Sequence, residues 1–208
     1  LSVDTAQTEK KQNDPSAAVL LGICQDVLNG RNQVMLMAAW SERLEFYELC
    51  NKVEETCKKW RVHKVLIEDK ASGLPLASEL RRRSRVFSDR IAHGKQEHRE
   101  RADFTVQTVS PEGDKVARAY GVQNLFEAGV VWAPADEHGN FKAWAERTMT
   151  ELAELPKGRH DDLADAMVYG LKFLRDIGIA LMPDDNQYEE EDRNRYKRQA
   201  VSMYPGFS

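Results

Sequence analysis

Acidic side chains in three separate segments are the residues of this sequence whose types and spacing could do chemistry. They are Asp4, Glu68 or its neighbour Asp69, and the pair Asp162 and Asp165. Hard divalent cations such as Mg²⁺ and Mn²⁺ prefer carboxylate ligands. Two such ions about 3.5–4 Å apart can activate a water molecule and stabilise the leaving oxygen in phosphodiester hydrolysis. If these acids converge in the fold, they make a metal-dependent active site.

The elements around the acids are predicted to bring them together. Asp4 ends the first short apolar segment, and Glu68 ends a strand over residues 63–67. A helix between these strands favours a parallel crossover, which places their carboxyl ends side by side, about 4.8 Å apart. Asp162 and Asp165 are three residues apart on a predicted helix, so they share one face of it.

Each acid taken alone also has an ordinary structural explanation. Asp4 could be a turn or cap residue at the end of its strand. Asp161 and Asp162 stand at a helix start, where acids cap backbone N–H groups and interact favourably with the helix dipole. Glu68 and Asp69 could be surface charges. The convergence of three distant segments is what favours an active site over these separate roles.

The rest of the pattern predicts a single α/β domain. Apolar runs at 17–24 and 33–39 flank a turn signal at 29–32, so the first three strands are expected to be antiparallel. Apolar residues at helical spacing predict a helix over 40–60, with Ser41 as its N-cap. Further predicted elements are a helix over 74–83, a strand over 104–109, a helix that opens at 111–114, a strand over 129–132, and helices over 141–155 and 161–175, with 84–103 unassigned. This order indicates a mixed sheet, three antiparallel strands followed by parallel ones, flanked by helices.

Composition and charge exclude several classes of protein. The chain has 208 residues, 41% of them hydrophobic and 31% charged, which is typical of a globular domain. It has no apolar run of about 18 residues and no basic segment before an apolar one, so neither a membrane span nor a signal peptide is expected. The net charge of −4 argues against extensive wrapping of nucleic acid. Three cysteines without a CxxC pair indicate reduced thiols of a cytosolic protein.

One run of the chain is nevertheless strongly basic. Between residues 81 and 101 there are eight basic side chains and three acidic ones. The basic ones are Arg81, Arg82, Arg83, Arg85, Arg90, Lys95, Arg99 and Arg101. This run could be a solvated helix end and loop, or a surface that contacts the phosphates of a nucleic acid.

The three acidic segments resemble the three acidic motifs of a known family, the C-terminal nuclease domain of the large terminase subunit. The segments are SVDTA at 2–6, VLIEDKASG at 65–73 and GRHDDLADA at 158–166. The segments at 109–111, 113–119 and 126–130 are similar to that family in their spacing as well, so the resemblance runs over about residues 1–175. It implies an RNase H-like fold and a metal-dependent endonuclease that cleaves concatemeric viral DNA during packaging, with two Mg²⁺ or Mn²⁺ ions.

The resemblance implies a role for the acids of the first two motifs. Asp4 matches the acid of the first strand, which should bind both ions. Glu68 is the expected second ligand because it stands five residues before Gly73, as the family's carboxylate usually does. Asp69 remains the alternative, and strand alternation lets only one of these two neighbours face the site.

In the last motif, similarity to Holliday-junction resolvases of the same fold favours Asp162 and Asp165 over Asp161. His160 is expected either to orient the scissile phosphate or a water molecule, or to cap or pack a helix. The expected metal ligands are therefore Asp4, Glu68, Asp162 and Asp165, with Asp69, Asp161 and His160 as further catalytic candidates.

The same resemblance makes double-stranded DNA the expected substrate and points to basic residues that could hold it. Lys115 and Arg118 are expected near the acids, where they contact DNA or else lie on a solvent-facing helix surface. Arginines of the basic run form the second group, which consists of Arg81, Arg82, Arg83 and Arg85.

The chain is predicted to divide into a nuclease domain at 1–177 and a charged, flexible tail at 178–208. No GxxxxGK[ST] motif occurs, so no ATPase site is expected in this sequence. The absent initial Met suggests that the domain belongs to a longer chain. By resemblance, its partners are the ATPase motor domain of that chain, the small terminase subunit and the portal or procapsid, in the cytoplasm of the host cell.

Two other functions fit the same residues. One is a structure-selective resolvase or transposase of the same fold, which would prefer branched DNA. The other is a non-catalytic module that binds DNA or docks on the procapsid with a degenerate site, and this module would bind no metal.

Overall fold

A computed structural model gives the architecture of the chain. It describes residues 1–5, 15–27, 30–70, 72–92, 104–110, 113–155, 158, 161–182 and 185, with the backbone alone for 85–92. The strands found there are β1 (Ser2–Asp4), β2 (Ser16–Gln25), β3 (Asn32–Glu42), β4 (Lys64–Glu68), β5 (Thr105–Val109) and β6 (Val131–Trp132). The helices are α1 (Phe46–Trp60), α2 (Gly73–Ala92), α3 (Lys115–Glu127), α4 (Ala143–Ala153) and α5 (Asp162–Asp176).

The strands form one mixed sheet in the order β5-β4-β1-β2-β3-β6. β1, β2 and β3 pair antiparallel, whereas β4 lies parallel to β1, β5 parallel to β4, and β6 parallel to β3. The predicted sheet of three antiparallel strands followed by parallel ones is confirmed. In the register of β1 with β4, Val3 lies opposite Ile67, so both strands end at the same edge of the sheet with Asp4 and Glu68.

Helices cover both faces of this sheet, and β2 shows how. Ala18 and Leu20 belong to a core cluster with α1 and α2, whereas Ala17 and Val19 belong to a second cluster with α3, α4 and α5. Successive side chains of a strand point to opposite faces, so a strand that is buried on both faces needs apolar residues at every position. The apolar residues at 17–20 of β2 are the consequence, whereas the strand is exposed from Ile23 onward.

The first helix begins later than the sequence pattern predicted. β3 continues to Glu42 and includes Ser41, and α1 begins at Phe46. Glu45 is the N-cap of α1, and its N–H donates to the Glu48 carboxylate at 3.0 Å. The prediction that Ser41 caps this helix is wrong, because the long β2 strand pairs with this part of the chain and keeps it extended.

The later elements also extend beyond their predicted bounds. α2 continues the predicted helix as far as Ala92, so the first part of the unassigned stretch is helical, and residues 93–103 lie outside the described part. After α5, Ala180 is fully buried in the second core cluster, so the packed chain continues past residue 177. Most of the predicted tail lies outside the described residues. None of the described helices is both long and apolar enough to cross a lipid bilayer.

Candidate active site

Asp4 and Glu68 lie side by side at the carboxyl edge of the sheet. Both are buried, with 8% of Asp4 and 2% of Glu68 exposed. Asp69 is exposed instead. Its N–H donates to Val109 O at 2.8 Å, and its carboxylate accepts from Ser110 Oγ at 3.4 Å. The structure therefore brings Glu68 to Asp4, and it directs Asp69 toward the end of β5.

A lysine that the motifs did not suggest lies against both carboxylates. Lys70 Nζ pairs with Glu68 Oε2 and lies 3.9 Å from Asp4 Oδ1. The turn into α2 holds the lysine backbone, since Lys70 N–H donates to Glu68 O at 2.9 Å and Lys70 O accepts from Gly73 N–H at 2.9 Å. A Cβ atom on Gly73 would lie 2.0 Å from Glu68 O, so this turn requires glycine.

The surroundings of Asp4 make its negative charge costly. Burial raises the pKa of Asp4, and Lys70 partly offsets this effect. Repulsion from Glu68 and Asp165 adds to it, and the pKa reaches about 8, against an ordinary value of 3.8. Two buried oxygens, Asp4 Oδ1 and Glu68 Oε2, have no hydrogen-bond partner, although both have the Lys70 ammonium as an ion-pair neighbour. Buried carboxylates in this arrangement need a proton or a cation.

Tyr169 of α5 holds the other oxygen of Glu68. Its hydroxyl donates to Glu68 Oε1, and burial together with this contact raises the pKa of Tyr169, so it remains a protonated donor. The Arg118 guanidinium lies 5.0 Å from the centre of the Tyr169 ring, and it also donates to Gly113 O at 2.9 Å. Tyr169 thus links α3 and α5 to the end of β4.

The beginning of α5 carries two further acids, which share a second lysine. Lys115 Nζ, at the start of α3, lies 2.9 Å from Asp165 Oδ2 and also pairs with Asp161. Asp161 and Asp165 are four residues apart, so their side chains lie on the same face. Asp162, which the resemblance favours over Asp161, is the first residue of α5 and is half-buried. The contacts of Lys115 join Asp161 to Asp165.

The pKa of Asp165 is raised for the same main reason as that of Asp4, and a lysine opposes the rise in both cases. Burial raises the pKa of Asp165, and the ammonium of Lys115 opposes that rise without cancelling it. Burial lowers the pKa of Lys115, but its hydrogen bonds to Asp161 and Asp165 outweigh this and leave its pKa raised. Lys115 is therefore a full positive charge held between two carboxylates.

A buried acid of α4 holds the start of α5 in place. Glu151, which is 5% exposed, accepts from Leu163 N–H at 3.0 Å and from Arg147 Nε at 3.0 Å. Asp161, the N-cap residue, makes no side-chain cap bond to its own helix. The helix start is thus capped from a neighbouring helix, which leaves the Asp161 carboxylate to Lys115.

The predicted DNA-binding residues fall in two places. Lys115 and Arg118 lie beside the acids, as expected. Arg81 lies elsewhere, because it donates to Val106 O at 3.2 Å and Val106 pairs near the start of β4, whereas Glu68 ends that strand. The structure therefore does not bring Arg81 to the acids.

Two arginines of the run are already paired within α2 and with α1. Arg82 contacts Glu79 at 2.7 Å, and Arg83 contacts Glu79 at 2.9 Å and Glu54 at 3.1 Å. Two other predicted site residues have side chains outside the described part of the structure, namely Arg85 and His160.

The acids fit divalent cations by the chemistry of their donors. Every candidate ligand offers carboxylate oxygen, which hard cations prefer, and one oxygen each of Asp4 and Glu68 lacks a hydrogen-bond partner and faces the ammonium of Lys70. With the side chains as they stand, no group of three or more acidic, histidine or cysteine side chains within the described residues surrounds a common ion position. A cation held by three or more of these acids therefore requires side-chain movement.

Local periodicity contained a signal for both residues that the motifs missed. Lys70 stands two residues after Glu68, the spacing at which strand residues share a face, and Tyr169 stands four residues after Asp165, the corresponding helical spacing. The contact of Tyr169 with Glu68 joins residues 101 apart in the chain. That contact follows only from the packing of α5 on the sheet.

Comparison with known proteins places the chain in a family. The family model described as the terminase RNaseH-like domain matches residues 1–173. No curated protein matches the sequence. Because the family match extends over most of its length, the chain belongs to the terminase RNaseH-like domain family, whose fold is the mixed sheet described above and whose role in packaging is that of a nuclease.

Proposed function

We propose that this domain is a metal-dependent endodeoxyribonuclease that cleaves concatemeric viral DNA during packaging. The observation that carries the proposal is the pair of buried carboxylates at neighbouring strand ends, Asp4 and Glu68, each with one oxygen that lacks a hydrogen-bond partner and faces the ammonium of Lys70. Burying two adjacent acids costs stability, and such arrangements with shifted pKa values cluster at functional sites.

Two Mg²⁺ or Mn²⁺ ions are the proposed cofactors. Asp4 and Glu68 would hold them at the sheet edge, and Asp165 would do so from α5, with Asp161 or Asp162 as the fourth ligand. When bound, the ions supply activation of the attacking water and stabilisation of the leaving oxygen.

Side chains around the acids have supporting roles in this proposal. Tyr169 orients the Glu68 carboxylate through its hydroxyl, as outer partners of metal ligands commonly do. Lys115 and Arg118 supply positive charge beside the acids, where the scissile phosphate has to lie. The site thus offers both acidic ligands and basic groups for the DNA backbone.

Membership of the terminase family supports DNA and packaging partners in general. The specific partners that we propose are double-stranded DNA, the ATPase motor domain of the same full-length chain, the small terminase subunit and the portal or procapsid. The proposed place of action is the cytoplasm of the host cell, where viral DNA is packaged.

Plasmid cleavage in Mn²⁺ tests the proposed activity. Asp4→Asn removes a proposed ligand with little change in shape, and Asp176→Asn removes an exposed acid that pairs with Lys172 at the far end of α5. We expect Asp4→Asn to cleave supercoiled plasmid at least about 100-fold more slowly than wild type. Loss of a residue that merely contacts a metal ligand typically lowers activity by about 10–100-fold, and loss of a ligand itself should cost at least as much. The control variant should cleave like wild type.

Undiminished cleavage by Asp4→Asn would overturn the assignment of the active site. A four-way junction in competition with linear duplex extends the same assay to the resolvase-like function. Preferential cutting of the junction would replace the packaging endonuclease with a structure-selective enzyme, and no cleavage of any DNA by the wild type would favour the non-catalytic module.

A further inference from the structure

Two lysines of the candidate active site each lie between two carboxylates. The contacts are those of Lys70 with Glu68 Oε2 and with Asp4 Oδ1 at 3.9 Å, and those of Lys115 with Asp161 and with Asp165 Oδ2 at 2.9 Å. The two ammonium groups stand where a cation shared by two acids would stand. They are therefore candidates to compete with such a cation.

The helix dipole disfavours the position of Lys115, and partial burial disfavours the positions of both lysines. Lys115 is the first residue of α3, and the dipole at a helix N-terminus disfavours a cation there. The side chains of Lys70 and Lys115 are each 27% exposed, so both lysines are partly removed from the solvent that hydrates a free lysine. Attraction to the acids is what holds them in place.

The backbone of Lys70 is held independently of its side chain. Its N–H donates to Glu68 O, and its carbonyl accepts from the N–H groups of Gly73 at 2.9 Å and Leu74 at 3.2 Å. A lysine side chain has a flexible four-carbon stem, so the ammonium can leave the carboxylates while the turn into α2 stays intact. The exchange of a lysine for another cation is therefore compatible with the fold.

We propose that Lys70 and Lys115 are exchangeable counter-ions, which neutralise the acids in the metal-free domain and leave them when divalent cations bind. This inference rests on the proposed metal-dependent function. It explains why the described side chains, as they stand, do not surround a common ion position. It gives each lysine two opposed effects, since each stabilises the metal-free fold and weakens metal binding.

The test compares Lys70→Met and Lys115→Met with wild type and with the control Lys172→Met. Lys172 pairs with Asp176 at 2.9 Å on the surface of α5, so the control removes an ion-paired lysine away from the site. Calorimetric titration with Mn²⁺ measures metal affinity, and thermal unfolding in EDTA measures the stability of the metal-free domain. We expect each site variant to bind Mn²⁺ about tenfold more tightly than wild type and to unfold at a lower temperature in EDTA, because a competing positive charge is gone. The control should match wild type.

The outcomes separate this inference from the proposed function. If wild type binds Mn²⁺ and both site variants bind it equally or more weakly, the counter-ion role is wrong and the metal-dependent function stands. If neither wild type nor any variant binds Mn²⁺, both are wrong. Should Lys70→Met fail to fold, the double variant Lys70→Met/Glu68→Gln also removes the acid that Lys70 contacts directly and is expected to fold. A double variant that stays unfolded would show that Lys70 is structural and would overturn its counter-ion role.

Discussion

At the scale of single residues, the burial of Asp4 ties the stability of the metal-free domain to pH. Its pKa is about 8 in the folded domain and 3.8 ordinarily, so the folded state keeps a proton that the unfolded state releases between these values. The stability contributed by this proton is complete below pH 3.8 and is lost as the pH rises through about 8.

Asp4→Asn is therefore expected to flatten the pH dependence of unfolding. In EDTA, the melting temperature of wild type should fall by several degrees more than that of Asp4→Asn when the pH rises from about 6 to about 8.5. A shift of one pKa unit corresponds to about 1.4 kcal/mol, and a change of 1 kcal/mol moves the melting temperature by about 2–4 °C at this chain length. Thermal unfolding at both pH values measures the difference. Asp176→Asn should behave like wild type, and equal slopes for all three proteins would contradict a buried, protonated Asp4.

At the scale of elements, the turn from β4 into α2 connects the fold to the site. The Glu68 carbonyl lies against the Cα atom of Gly73, where any side chain would collide with backbone. The same turn carries Lys70, whose ammonium lies between the two buried carboxylates. A displacement of this turn therefore has to move Glu68 and Lys70 together.

Substitution of two glycines by alanine should have opposite effects on stability, because one glycine is crowded and the other is not. Gly73→Ala places a Cβ atom 2.0 Å from Glu68 O, so we expect a lower melting temperature and weaker Mn²⁺ binding. Gly121→Ala in α3 meets nothing within 4 Å and should raise stability by about 0.5–1 kcal/mol through helix propensity, with metal binding unchanged. Thermal unfolding and Mn²⁺ titration of both variants measure these effects, and a Gly73→Ala variant that matches wild type in both would contradict the tight turn.

At the scale of the whole molecule, two pairs of basic residues lie toward opposite ends of the strands. The chain is acidic overall, with a net charge of −4, so the position of each basic group matters for DNA binding. Arg82 and Arg83 lie away from the acids and pair with Glu79, whereas Lys115 and Arg118 lie beside them. The composition of the arginine run alone suggested a DNA surface, but Arg82 and Arg83 already form ion pairs with acidic side chains of the domain.

Arg118 and Arg82 make a matched pair for testing where DNA binds. We expect Arg118→Ala to weaken binding of duplex DNA and to reduce the salt slope of log K by about 1, because a phosphate contact near the acids is lost. Arg82→Ala, whose side chain is 66% exposed at the remote end, should leave both unchanged. Fluorescence anisotropy over a range of salt concentrations in EDTA measures both variants. A larger loss for Arg82→Ala would place the DNA surface on α2 instead.

Much of the fold could be predicted because strands and helices each impose a fixed local period. The apolar run of β2, the position of Asp4 at the end of β1 and the helix that carries Asp165 all follow from spacing. The same reasoning misplaced the start of α1, since the residues around Ser41 suit either structure and the pairing partner decides. Local preference is weak where a long-range partner is present.

The amino-acid sequence by itself determined which elements form and which acids they carry, and the tertiary structure decided which side chains meet. The register of β1 beside β4 brings Glu68 to Asp4, and the packing of α5 brings Tyr169 to Glu68 across 101 residues of chain. Lys115 reaches Asp165 across 50 residues in the same way. The physical reason is that a local period sets the direction of a side chain within its own element, whereas the burial of shared apolar faces sets the distances between elements. The four acids around two lysines are therefore a product of the packed fold.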